Sequence, residues 1–265
     1  MHAATVDDIT IHVAVEGPPN APALVFSNSL GTDLRTWDAV IARLSDRFRC
    51  VRYDTRGHGL TDRGAAEVTI TRLAADLAGL LDHLGIRETL LCGLSIGGLI
   101  AQQLIKDHPD RVRGLVLCDT ASKIGTPEMW QERIDGIGKH GLDAAADGIL
   151  ERWFAPAFRS GKPAETAAWR NLLIRTPLDG YLACCAAIRD ADLRADAARI
   201  SVPTLCVGGA QDGATPPEVV RALAASIPGA RFVELDQCGH LPCIEQPQAL
   251  VDAMVDFFRE NRFVR

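Results

Sequence analysis

The chain lacks any apolar run near the roughly 18 to 20 residues that a membrane-spanning helix requires. Its opening, MHAATVDDIT, lacks the positive segment and following apolar stretch of a signal peptide. Basic residues are not in excess either: 28 Lys and Arg face 34 Asp and Glu, for a net charge of −6 and a pI near 5.6. That balance argues against a nucleic-acid-binding surface, because neutralising phosphates needs clustered Lys and Arg. It also supplies no long-range attraction for an anionic substrate, so such a ligand needs locally placed cations. None of the eight cysteines has zinc-site spacing. Cys92, Cys118 and Cys206 sit in apolar runs where a thiol acts as a small hydrophobe, and the adjacent Cys184 and Cys185 are badly placed to bridge. A reducing cytoplasm is therefore the expected compartment. Internal repeats and low-complexity linkers are missing too.

What is present is ordinary globular composition, 47% hydrophobic and 23% charged over 265 residues, enough for one large core with room for an inserted subdomain. Short apolar runs read as strands: IHVAVEG, ALVFSNS, FRCVRYD, TLLCGLS, VRGLVLCD, PTLCVGG and ARFVELD. LLC, LVLC and TLCV have the nearly continuous hydrophobicity of parallel strands buried on both faces. Between them, ITRLAADLAGLLDHLG sets Ile70, Leu73, Leu77, Leu80, Leu81 and Leu84 on one helical stripe ending at Gly85. IGGLIAQQLIKDHPD and PPEVVRALAASIPG predict two more helices, the latter with proline in its first turn. This alternation predicts an α/β fold with a mostly parallel sheet covered on both faces. It fails between about Ala121 and Arg199, a stretch with helical patterns, no convincing strand and three of the four tryptophans. Residues 1–120 and 200–265 therefore read as the core, and 121–199 as a helical insertion over one end of the sheet.

Gly93-Leu94-Ser95-Ile96-Gly97 is a G-x-S-x-G placed where a strand ends and a helix begins. A sharp turn there pushes the serine hydroxyl beyond the strand's carboxyl end, and the flanking glycines avoid clashes that a Cβ would create. A serine hydroxyl is a poor nucleophile unless a base lies within hydrogen-bond reach and a carboxylate orients that base. The expected order is Ser, acid, His. His240, in LDQCGHLPCIEQP, follows the last strand and is the candidate base; His58, in YDTRGHGLTD, is its strongest competitor. The glycines around His58 suggest a tight turn packed close to the elbow, which favours a structural role for it. Asp212, in CVGGAQDGATPPE, is the candidate acid, and Asp119, ending GLVLCD, is the alternative one strand earlier. Two backbone N–H groups must meet the developing oxyanion. One should be that of Ile96, after the nucleophile at a helix N-terminus. The other should come from the loop after the early strand, SNSLGTDLRTWD.

Together the elbow, DTRGHGLTD and CGHLPCIEQP resemble the α/β-hydrolase superfamily over almost the whole chain. Within it, SNSLGTDLRTWD, CGLSIGG, ERWFAPAFR, CCAAIRDADLR and GAQDGATPPE make the sequence similar to the 3-oxoadipate enol-lactonases of the β-ketoadipate pathway of aromatic catabolism. The resemblance implies an α/β-hydrolase fold, a mostly parallel central sheet flanked by helices, with 121–199 as a helical cap. It matches Ser95, Asp212 and His240 to the catalytic triad and Leu30 with Ile96 to the oxyanion hole. Many relatives have His-Gly where this chain has Asn28-Ser29, a departure that keeps the Leu30 backbone donor and bears on how the loop is braced.

The implied chemistry is cofactor-free hydrolysis of a small-molecule lactone bearing a carboxylate. That carboxylate needs a donor in the cap. Trp130 and Arg133, three apart in PEMWQERID, can share a helix face, and Trp153 can wall the pocket. Packing of cap onto sheet is an equal alternative for each aromatic, and a solvated charge for Arg133. Another ester, a ring-fission product or a peracid reaction would use the same machinery. A ligand receptor with little turnover could share the scaffold, though a complete triad argues against it.

Overall fold

The computed structural model describes residues 2–264. Its sheet has eight strands, β1 (His2–Val6), β2 (Ile9–Glu16), β3 (Ala23–Ser27), β4 (Arg49–Tyr53), β5 (Thr89–Leu94), β6 (Val112–Cys118), β7 (Thr204–Gly209) and β8 (Arg231–Leu235). They are ordered β1-β2-β4-β3-β5-β6-β7-β8. The pairs β1/β2 and β2/β4 are antiparallel and the others parallel. Every residue of β5 and β7 is buried, as continuous apolar runs require of central strands.

Seven strands coincide with the runs read from sequence. The eighth, β1, was not expected: HAATV is short and alanine-rich, with little of the β-branched or aromatic content that marks a strand. It forms through a hairpin closed at Asp7, whose φ is +46°, and it buries Ala4 and Val6.

Core helices are α1 (Asp38–Leu44), α2 (Ile70–His83) and α3 (Ile96–Asp107), followed later by α9 (Pro217–Ser226), α10 (Pro242–Glu245) and α11 (Pro247–Glu260). Thr69 caps α2 by accepting the Arg72 N–H, and Ile70, Leu73, Leu77, Leu80 and Leu81 are buried as the stripe required, with Leu84 partly buried at the end. Residues 121–199 hold α4 (Pro127–Trp153), α5 (Pro156–Gly161), α6 (Pro163–Ile174), α7 (Leu178–Asp190) and α8 (Arg194–Ala197), and contribute no strand among the described residues. Helix α4 breaks at Gly141, whose φ of +81° is left-handed. No helix is long and apolar enough to cross a membrane among the described residues.

Strand order places the site. The chain reverses direction of travel across the sheet at β3 and β5, which lie side by side although β4 separates them in sequence. Crevices at such switch points, outside the carboxyl ends of the strands, are where open α/β sheets bind ligands. Ser27 pairs with Gly93, so the loop after β3 and the turn after β5 emerge as neighbours. Cys118 pairs with both Leu94 and Val207, which brings the loops after β6 and β7 to the same edge.

Candidate active site

Ser95 stands between β5 and α3 with φ +57° and ψ −116°, a strained backbone for a residue with a side chain. The strain is held by close backbone approach. A Cβ on Gly93 would lie 2.3 Å from the Gly97 carbonyl oxygen, and one on Gly97 would lie 2.3 Å from that of Ser27. Thr120 donates its hydroxyl to the Ser95 carbonyl at 2.7 Å, and the Ser95 N–H donates to Cys118 O at 3.0 Å. The side chain is thus aimed by four elements at once, and the residue is 8% exposed.

His240 follows β8 and is 2% exposed. Its Nδ1 lies 2.8 Å from Asp212 Oδ2. Asp212 Oδ1 accepts the N–H groups of Ala214 (2.7 Å) and Thr215 (3.1 Å), and Oδ2 accepts the Thr215 hydroxyl at 2.7 Å. Burial opposes ionisation of Asp212, but attraction to His240 and hydrogen bonds from His240, Thr215 and Ala214 outweigh it and hold the carboxyl below its ordinary range. The histidine's other nitrogen, Nε2, is 3.4 Å from Ser29 Oγ, and no hydrogen bond joins it to Ser95 Oγ among the described residues. The His240 N–H donates to Trp153 O at 2.8 Å, tying the loop to the end of α4.

Asp119 does not touch His240 within hydrogen-bond reach; its Oδ1 accepts the Gly209 N–H at 2.7 Å. His58 is buried, with Nδ1 3.3 Å from Arg56 O and Nε2 unpartnered, and burial lowers its pKa. The glycines beside it do not pack on the elbow as expected. Gly57, at φ +73°, leaves room for Gly180 of α7, and Gly59 leaves room for the Asp54 carboxylate. The physical reason is the anchoring of this loop elsewhere: Arg56 is clamped at 2.7 Å by both oxygens of Asp76.

The loop after β3 is braced by Asn28, which donates to Tyr53 O at 2.7 Å and accepts the Trp37 indole N–H at 2.8 Å. Thr32 closes the turn with its hydroxyl on Ser29 O at 2.8 Å. These contacts do the bracing that Asn28-Ser29 left open. Leu30 and Ile96 are both buried, and neither N–H donates to a protein acceptor among the described residues. Buried unpaired backbone donors are rare, so the free N–H groups of Leu30 and Ile96 are candidates to meet an acceptor.

Gly31, at φ +75°, packs beneath Leu173, Tyr181 and Trp153 of the helical segment. Trp153 is therefore at the site, 4% exposed. Trp130 shares a helix face with Arg133, whose guanidinium lies 5.2 Å above its ring, and its indole N–H is taken by Ile124 O at 2.7 Å. Arg133 donates to the Tyr181 hydroxyl, sits 5.7 Å from that ring, and keeps a buried Nε without a partner. No carboxylate pairs with it, or with Arg152 and Arg175, among the described residues, whereas Arg159, Arg170, Arg189 and Arg194 of the same segment each have one. A cleft of about 720 Å³ opens between the loop after β3 and α6, lined by Thr32, Asp33, Trp169, Arg175 and Cys243 among others, but not by Ser95 or His240.

Sequence reasoning missed Ser29, Thr215, Tyr181 and Glu245. Thr215 had a readable signal, a hydroxyl three residues after an aspartate in a turn. The others meet the site only through tertiary contacts. Glu245 accepts the N–H groups of Ala155 (2.9 Å) and Gly239 (2.8 Å), joining the end of α4 to the His240 loop.

Comparison with known proteins places this arrangement. Residues 24–253 match the model of the alpha/beta hydrolase family. The chain is 36% identical over 250 residues to 3-oxoadipate enol-lactonase 2 of Acinetobacter baylyi, covering 94% of this chain and 93% of that protein. It superposes on the crystal structure of an enol-lactonase from Burkholderia xenovorans with a TM-score of 0.94 and 41% identity, over 97% of this chain and 100% of that one. A malate-bound esterase from Thermogutta terrifontis is 28% identical with a TM-score of 0.91, over 98% and 99% of the two chains. Matched by the family model over most of its length and by relatives in sequence and fold, the chain belongs to the alpha/beta hydrolase family and is an enzyme of the hydrolase class.

Proposed function

We propose that this protein hydrolyses 3-oxoadipate enol-lactone to 3-oxoadipate, a cytoplasmic step of aromatic catabolism through the β-ketoadipate pathway. Ser95 is the nucleophile, His240 its base and Asp212 the carboxylate that orients the imidazole. As substrate displaces Nε2 from Ser29, the Ser95 hydroxyl takes its place, the tightening usual when a catalytic hydrogen bond is loose without substrate. His240 accepts the Ser95 proton as Oγ attacks the ring carbonyl, and the oxyanion is met by the Leu30 and Ile96 N–H groups. Collapse expels the enol oxygen, a better leaving group than an alkoxide; it takes the proton held by His240, and the enol tautomerises to the ketone. Water activated by His240 then cleaves the acyl-enzyme to give the keto dicarboxylate. Residues 121–199 act as the cap that selects this substrate.

The observation that carries the substrate class is Arg133, a guanidinium with no carboxylate partner and a buried free Nε, stacked on Tyr181 whose ring lies against the Leu30 loop. A lactone with a free carboxylate supplies the missing anion. The relatives named enol-lactonases support the same reading.

The test is ring opening of 3-oxoadipate enol-lactone, followed by ultraviolet absorbance beside a p-nitrophenyl ester. A higher kcat/KM for the lactone is expected, and preference for the plain ester defeats the specific reading. Ser95→Ala should lower kcat by about 10⁴-fold or more without loss of folded protein, as removal of a nucleophile does.

A further inference from the structure

Two buried carboxylates stand at the carboxyl edge of the sheet, and only Asp212 bonds to His240. Asp119 follows β6 with φ +44° and is wholly buried. Its Oδ1 is satisfied by Gly209, but Oδ2 is buried and has no hydrogen-bond partner. One carboxylate oxygen from each of Asp119 and Asp212 and one ring nitrogen of His240 lie within 4.8 Å of one another. The other titratable groups around Asp119 are the thiols of Cys118, Cys238 and Cys243. No lysine or arginine pairs with it among the described residues.

Two carboxylates this close, away from water, cannot both ionise against a single histidine. The hydrogen bonds decide which one keeps the charge. Asp212 has the Ala214 and Thr215 N–H groups, the Thr215 hydroxyl and His240; Asp119 has one N–H. An orphaned carboxylate oxygen becomes a donor once it carries a proton, and the Asp212 carboxylate is the acceptor beside it.

We propose that Asp119 is a positioning residue: it stands protonated at neutral pH and donates from Oδ2 to the Asp212 carboxylate, holding it against His240. The titration directions agree. Burial first, then the charge of Asp212, raises the Asp119 carboxyl well above its ordinary range, while Asp212 is held below its own. Pairs pushed apart in this way divide acid and base roles between two similar groups. The role, though not the protonation, rests on the reading of Asp212 and His240 as a catalytic pair.

Asp119→Asn keeps a neutral donor, so the acid limb of the kcat/KM profile should stay where it is in wild type. Were Asp119 ionised, removing a negative charge beside His240 would move that limb down by about one pH unit or more, and such a shift overturns the proposal. Asp119→Leu, which cannot donate, should lower kcat about tenfold with little change in KM, the loss of one hydrogen bond to a charged group. A folded leucine variant with wild-type kcat also overturns it. Infrared difference spectra decide the protonation without turnover. At about pH 8, wild type minus Asp119→Asn should show a carboxylic-acid C=O band, and its absence overturns the proposal even if the lactone proves not to be the substrate.

Discussion

Glycines in the sheet-end loops and three glycines of the helical segment do opposite things, while Gly180 of α7 packs on the backbone of Gly57 like the first kind. A Cβ on Gly93, Gly97 or Gly209 would meet a backbone carbonyl oxygen at 2.3, 2.3 or 2.0 Å. At Gly136, Gly148 and Gly161 it would meet nothing within 4 Å. The first group lets backbones touch, and it fixes Ser95, Leu30 and Ile96 through main-chain positions that no side chain could supply. In the second group glycine has no packing task, and in the proposed function the segment recognises substrate through side chains: Trp153, Tyr181 and Arg133. Chemistry built from backbone tolerates little change, while recognition built from side chains can be altered one residue at a time.

Gly97→Ala tests the stricter half and should have the largest effect. The added methyl meets Ser27 O and Asn28 O, at 2.3 and 2.9 Å, and both are backbone atoms that cannot swing aside. Either α3 or the β3 loop must move, separating the two candidate oxyanion donors. A misplacement of about 1 Å costs about 10²-fold and loss of one donor 10²- to 10³-fold, so kcat should fall about 10³-fold, with KM changed less. Wild-type turnover would mean that the close approach is incidental.

Arg133→Met probes the other half. Removing a charged partner for the substrate carboxylate should raise KM for the lactone about 10- to 100-fold, and kcat for the neutral p-nitrophenyl ester should hold. An equal loss on both substrates would make Arg133 a packing residue on Trp130 and Tyr181.

The same division explains what could be read from the sequence. G-x-S-x-G is legible because a strained turn restricts residue type locally, and strands β5, β6 and β7 are legible because burial on two faces leaves only apolar residues. The choice between Asp212 and Asp119 was harder, since both end apolar strands. A 2.8 Å contact with His240 separates them, and it depends on how the loops after β7 and β8 meet. Strand β1 was invisible because alanines carry little strand signal. Tyr181 lay hidden in a helix whose apolar face packs against its neighbours, and nothing in PEMWQERID signals that the Trp130 N–H is committed to Ile124.

Glu245 joins the two halves, and its titration gives a signed pH effect. Burial raises it from 4.5 to about 7, against the pull of the Ala155 and Gly239 N–H groups. Because the folded state binds this proton more tightly than the unfolded chain, its contribution to stability is greatest below about pH 4.5 and is lost as pH rises toward 7. Wild type should therefore lose stability relative to Glu245→Gln between those pH values, by about 1 to 3 kcal/mol in denaturant titrations. A difference that is flat with pH, or that grows in favour of wild type, would mean that the carboxylate is ionised throughout.

The smallest effect cuts most directly between the halves. Gly148 lies exposed inside α4, with open space where a Cβ would go. Gly148→Ala should raise stability by about 0.5 to 1 kcal/mol by restricting the unfolded chain, a Tm gain of about 1 to 4 °C for a domain this size. Gly136→Ala shares its surroundings and should add independently. Gly141→Ala is the control within the same helix. It too has open space, but its φ is +81°, so the methyl group is strained by the backbone alone and the variant should be less stable than wild type. If all three changed Tm alike, the conformational part of the argument would fail; if Gly148→Ala lowered kcat as Gly97→Ala does, the separation of backbone-built chemistry from side-chain recognition would fail with it.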